Sequence, residues 1–114
     1  MGSDAKKQGQ KSKPEVIRLA SLVDYEATSI ASKEIVDRKA ASVAVFAFDK
    51  FQEIVEHVLP YDVIFYVFEG EAEVIIKSKS YLVKNGELIL VPAKTPHTVS
   101  AKSKFKMLLT TIKE

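Results

Sequence analysis

Cysteine is absent from the 114 residues, which removes disulfides, zinc–thiolate sites, iron–sulfur clusters and a thiol nucleophile together. Glycine is scarce as well: the four present are scattered, so no phosphate-cradling loop or dinucleotide fingerprint can be built. Nucleotide cofactors are not expected. The two histidines, His57 and His97, lie forty residues apart, which rules out a zincin-type helical pair, and no Gly-x-Ser-x-Gly elbow supplies a serine nucleophile. Long apolar runs are missing too. The longest, VAVFAF at 43–48 and VIFYVF at 63–68, fall far short of the roughly 18 residues that span a bilayer. With no signal-peptide pattern and Lys6 where a myristoylation motif wants Ser or Thr, a cytoplasmic protein without a membrane partner is expected.

Charge of one sign is also lacking on the main body. The formal net charge is +2, but residues 1–13 hold Lys6, Lys7, Lys11 and Lys13 against Asp4 alone, which leaves residues 14–114 at −1. A nucleic-acid footprint would need a basic stripe on the folded part, so no nucleic-acid partner is expected. The stretch MGSDAKKQGQKSK has no aliphatic residue larger than Ala after Met1 and is read as a disordered tail or an expression remnant. Residues 14–114 are read as one domain, long enough to bury about two thirds of the surface of the unfolded chain.

Within that domain the pattern is of short strands cut by turn residues. EVIRLASLVDY fits a helical face and a strand equally well. Ile30–Val36 and Ser42–Phe48 read as strands split by Asp37-Arg38-Lys39. FQEIVEHVL, DVIFYVFEGEAEVIIK, SYLVKNGELILVP and HTVSAKSKFKMLLTTIK follow, bounded by Pro60, a Lys-Ser turn, Asn85-Gly86 and the Pro92 to Pro96 segment. Asn85-Gly86 predicts a type I′ hairpin with antiparallel strands on either side, since both residues accept positive φ. Strands at this spacing with no long helix indicate an all-β barrel or sandwich. Val63, Phe65 and Val67 alternate with Ile64, Tyr66 and Phe68, and Leu88 to Val91 has no polar position. Such strands need cover on both faces, so the outer face calls for the N-terminal segment or a second subunit, and a homodimer is expected.

The spacing of the two histidines resembles that of the small single-domain cupins. The first cupin motif is Gly, five residues, His, one residue, His, three or four residues, Glu, six residues, Gly; His57 and Gly70 occupy its first histidine and last glycine. The second is Gly, five residues, Pro, one residue, Gly, two residues, His, three residues, Asn; Gly86, Pro92 and His97 match it. The resemblance covers roughly residues 43–112 and implies a jelly-roll barrel, the double-stranded β-helix. The chain departs from the motifs at Phe51, Leu59, Val63, Lys94 and Ala101, which stand in place of glycine, histidine, glutamate, glycine and asparagine.

Metal-binding cupins, the resemblance implies, converge three histidines and a glutamate inside the barrel, whereas here two imidazoles remain. A catalytic site wants at least three protein ligands, so a divalent transition metal depends on a carboxylate replacing Val63. Strand alternation puts Glu53 on the face of His57 but about 13 Å away at roughly 3.3 Å per residue, and turns Glu56 off that face. Asp62 is left, if a bulge after Pro60 re-aims it. A metal-free route, as the fold's sugar epimerases imply, would pair a histidine with Asp62 and Tyr66 or Tyr81, although alternation points Tyr66 outward. Three readings result. The first is a module holding a small-molecule ligand among His57, Leu59, Val63, Phe65, Val67, Pro92, His97 and Val99. The second is a metal-dependent oxygenase or isomerase using His57, His97 and Asp62. The third is a structural barrel whose lumen is filled by side chains.

Overall fold

The computed structural model describes residues 14–114; the tail reading for residues 1–13 lies outside them. Among the described residues nine strands form two antiparallel sheets: β1 Ala31–Asp37, β2 Ala41–Phe48, β3 Glu53–His57, β4 Asp62–Glu69, β5 Glu71–Ile76, β6 Lys79–Lys84, β7 Leu88–Val91, β8 His97–Ser100 and β9 Phe105–Ile112. One sheet has the order β1-β2-β9-β4-β7 and the other β3-β8-β5-β6. Every connection from β2 onward except β5 to β6 passes from one sheet to the other, giving a jelly-roll barrel. No helix among the described residues is long and apolar enough to cross a membrane.

The core lies between the sheets. Phe48, Val63, Phe65, Val67, Val74, Val83, Val91, Val99, Phe105 and Met107 form one buried cluster, and the Phe48 and Phe105 rings stack at 4.6 Å. Burial of each such side chain stabilises by roughly 1.5–3 kcal/mol. Gly70 makes the turn from β4 to β5 possible. Its φ is +79°, and a Cβ there would sit 2.4 Å from the Lys104 carbonyl oxygen.

The ambiguous segment at 15–25 is neither a long helix nor a strand. A single 3-10 turn, Leu19–Ser21, lies within a strap across the outer face of the five-stranded sheet, where Leu19, Leu22, Val23 and Tyr25 pack on Val45, Ala47, Phe68 and Leu108. This second cluster explains why β2 is apolar on both faces. Polar clips hold the strap: the buried Lys106 ammonium donates to the Ala20 carbonyl at 2.8 Å, and the Tyr25 hydroxyl donates to the Glu69 carboxylate. A bulge at Phe68 sets Glu69 opposite Lys106, so both reach the strap. The cover is partial, because Leu88 and Leu90 on the same outer face stay 59% and 54% exposed.

The expected hairpin at Asn85-Gly86 is not formed. Strands β6 and β7 belong to different sheets, and the turn between them is closed by Glu87 N–H to Lys84 C=O at 2.8 Å. Only Gly86, at φ +89°, is left-handed, the pattern of a type II turn, which needs positive φ at its third residue alone. The two-residue hairpin occurs instead at Lys77-Ser78, between Ile76 and Lys79. Both residues are left-handed, at φ 52° and 67°, as a type I′ turn demands.

Candidate functional site

His57 ends β3 and His97 opens β8, and the two are direct partners across an antiparallel ladder. Directly opposed residues project from the same face of a sheet. Their rings meet edge-on with centroids 5.8 Å apart, and the Phe65 ring lies 5.7 Å from His97 beneath them. His97 is 2% exposed, whereas His57 is exposed. The pair therefore sits at one mouth of the barrel, with His97 at its floor and His57 at its rim.

A bulge sets this arrangement. Ile54 pairs with Val99 and His57 with His97, so β3 has one residue more than β8 between them. The extra length is taken up at Val55 and Glu56, where Glu56 is left-handed at φ 47° and its N–H donates to the Thr98 hydroxyl at 3.0 Å. Unbroken alternation fails here. His57 shares its face with the core-packed Ile54, and Glu53, opposite Ser100, points to the other side. The bulge sought after Pro60 lies before His57 instead.

The His97 ring is oriented by its own loop. Nδ1 lies 2.9 Å from the Thr95 carbonyl oxygen, and a carbonyl only accepts, so Nδ1 is the protonated nitrogen and Nε2 of the neutral ring holds a lone pair. Among the described residues no fully buried side-chain nitrogen or oxygen is without a partner. The loop is pinned twice more: Lys94 N–H donates to Leu59 C=O at 2.7 Å, and Ala93 N–H donates to Asp62 Oδ1 at 2.8 Å.

Asp62 thus acts as a loop anchor. Its register with Ile112 continues without a break into Val63 opposite Thr111, so nothing re-aims it toward the imidazoles. No group of three or more His, Asp or Glu side chains among the described residues is placed to hold a metal ion. Two imidazoles, one of them exposed, do not fit a catalytic metal centre, which takes three protein ligands. The His57, His97, Asp62 set is not assembled.

Of the eight residues expected to line a chamber, Val63, Phe65, Val67 and Val99 are packed in the core cluster with Phe48, Phe105 and Met107. Leu59 is half-buried against that cluster, and Pro92 is exposed. The polar entrance is therefore short, and Phe65 closes it below. Phe68 is not in the lumen; it packs under the strap. Tyr66 faces outward, as alternation predicted, and Tyr81 lies on the inward face of β6 opposite Val74, away from the histidine pair on β3 and β8. Sequence reasoning missed Thr98, whose hydroxyl accepts from the Glu56 N–H at the bulge before His57 and which carries no local signal. The place of His97 directly after Thr95-Pro96 at a strand start did point to a neighbouring backbone partner, and the Thr95 carbonyl is that partner.

The motif departures are instructive in their backbone. Phe51 and Lys94 stand where the cupin motifs have glycine, and both are left-handed, at φ 73° and 63°. Gly70 and Gly86, the motif glycines that remain, are left-handed too. All four positions keep a glycine-like conformation whatever residue occupies them.

Comparison with known proteins agrees with this geometry. The family model described as cupin domain matches residues 45–113. A conserved protein of unknown function from Streptococcus pyogenes is 34% identical, covering 91% of each chain, with a TM-score of 0.82. A cupin 2 conserved barrel domain protein from Leptotrichia buccalis is 32% identical with a TM-score of 0.80; the match covers 84% of this chain and 47% of that one. A cupin superfamily protein from Desulfitobacterium hafniense, 22% identical over 91% of this chain and 94% of its own, has a TM-score of 0.81 and shares the fold. No curated protein sequence matches. On its fold, its motif positions and these likenesses, the chain belongs to the cupin family.

Proposed function

We propose that the protein is a small-ligand binding module whose site is the barrel mouth, with His57 and His97 as polar anchors above an apolar floor. The observation that carries this reading is the edge-on imidazole pair, in which one ring presents an acceptor nitrogen fixed by the Thr95 carbonyl. A buried apolar surface with a few placed polar groups is the usual make-up of a small-molecule site. The packed core below Phe65 limits the ligand to what fits above that ring. The donor set disfavours the metal-dependent oxygenase or isomerase.

The same reading takes the protein as a homodimer. Its second copy lies on Leu88, Leu90, Ile64 and Tyr66, the part of the outer face that the strap leaves open, and the exposure of Leu88 and Leu90 supports this.

A fragment screen followed by the side-chain NMR signals of His57, His97 and Phe65 tests the binding module. Fragments that bind should shift all three rings, and binding should be lost in His57→Ala and His97→Ala. Fragments that bind without moving either imidazole would refute the site. Stoichiometric metal in the purified protein, lost in the His57→Ala, His97→Ala double variant, would restore the metal-dependent reading.

A further inference from the structure

Strands β6 and β7 are the outer strands of their respective sheets and run past one another without backbone pairing. The inward residues along this seam, Tyr81 opposite Val74 and Ile89 opposite Phe65, are only half-buried. At the end nearer the histidine pair the seam widens into a groove of about 550 Å³ lined by Ile76, Tyr81, Ile89 and Pro92 together with Lys77 and Lys79. That volume is within the range of small-molecule sites. Neither histidine lines it, although Thr95, whose carbonyl orients His97, does.

The charge of the groove is one-sided. Both ionisable side chains that line it near the β5–β6 hairpin are lysines, and no carboxylate does. The Lys79 ammonium is 5.1 Å from the centre of the Tyr81 ring, which places a cation beside the aromatic wall. Lys77 occupies a left-handed position, φ 52°, where Gly or Asn would be at ease. Beyond Tyr81 and Ile89 the seam continues past Leu82, Val83 and Leu88, where Glu87 also lines it.

We infer that this groove binds a small amphiphilic carboxylate, its headgroup between Lys77 and Lys79 and its apolar chain along Tyr81 and Ile89. A mostly apolar groove with two lysines and no carboxylate in its lining complements a ligand that is anionic at one end and apolar at the other. The groove borders the mouth at Thr95 and the proposed dimer face at Leu90, but the inference uses neither histidine.

Octanoate is the probe and 1-octanol its uncharged control, titrated into the full chain and followed by backbone amide shifts and calorimetry. Octanoate should shift the amides of residues 76–81 and 89. Its affinity should fall by about fivefold or more in Lys77→Asn, Lys79→Gln and on raising the salt. Asn tolerates the left-handed turn, so that variant keeps the fold. Octanol binding should be indifferent to both changes, and His57→Ala should leave octanoate binding intact. The inference is overturned if octanoate and octanol bind alike, or if the lysine variant binds octanoate as tightly as the parent. Shifts centred on His57 and His97 would also overturn it. So would seam shifts that follow protein concentration with none added by octanoate at fixed protein concentration, which would assign the groove to a second copy of the chain.

Discussion

Replacing Lys77-Ser78 by Asn-Gly should raise stability, although neither side chain is in the core. Both residues are held at positive φ, and for an L-residue that conformation costs roughly 1–2 kcal/mol. Asn pays less of this penalty and Gly none, while the extra freedom of Gly in the unfolded chain gives back about 0.5–1 kcal/mol. The net gain is about 1–2 kcal/mol. For a domain of this length that is about 4–8 °C in Tm. Thermal and urea unfolding of the double variant measure it, and two variants at the other turn supply the contrast. Asn85→Ala should be neutral within about 0.5 kcal/mol, because Asn85 is not left-handed, whereas Gly86→Ala should cost about 1–2 kcal/mol from its φ of +89° alone. A type I′ hairpin at Asn85-Gly86 would make Asn85→Ala costly as well. An unchanged or lowered Tm for the Asn-Gly variant, or a large loss in Asn85→Ala, would refute the reasoning.

Three other outcomes are expected. Gly70→Ala should destabilise by about 2–4 kcal/mol in urea unfolding, since its Cβ would meet the Lys104 carbonyl at 2.4 Å in a left-handed backbone. Burial first, then the hydrogen bond to Glu69, hold the Tyr25 hydroxyl's pKa well above the usual tyrosine range. A folded-state pKa raised in this way gives stability that is fully present below the ordinary tyrosine value and is lost as pH rises past about 10. Thermal unfolding should accordingly show an alkaline decline that Tyr25→Phe flattens. Leu88→Asp, Leu90→Asp should lower the mass by light scattering from twice that of the chain to that of one chain; a parent protein that is already monomeric contradicts the dimer.

How much of this could be read beforehand differs from element to element. The alternation of Val63, Phe65 and Val67 with Ile64, Tyr66 and Phe68 marked β4 as a strand with two apolar faces; the core covers the inner one, and the strap covers the outer one at Phe68 alone. The strap itself was illegible. Its turn is only three residues long, and its clips, Lys106 and Glu69, come from positions 86 and 44 residues away from their partners Ala20 and Tyr25. The two histidines were correctly brought together by their motif spacing, but the facing of their neighbours was not. Period-two reasoning assumes an unbroken ladder, and the extra residue at Val55–Glu56 inverts every inference about β3 drawn from one side of it. Asn85-Gly86 misled for a related reason: Gly86 needs positive φ in a type II turn as much as in a type I′ one, so local chemistry alone does not tell a hairpin from a crossing between sheets.

The account depends on the mouth pairing of the imidazoles, and NMR of the ring nuclei of His57 and His97 addresses it most directly. A cross-relaxation peak between the two rings is predicted from their 5.8 Å separation, together with nitrogen shifts that put the proton of neutral His97 on Nδ1 and leave Nε2 bare. Rings that show no mutual contact, or a neutral His97 protonated on Nε2, would contradict it.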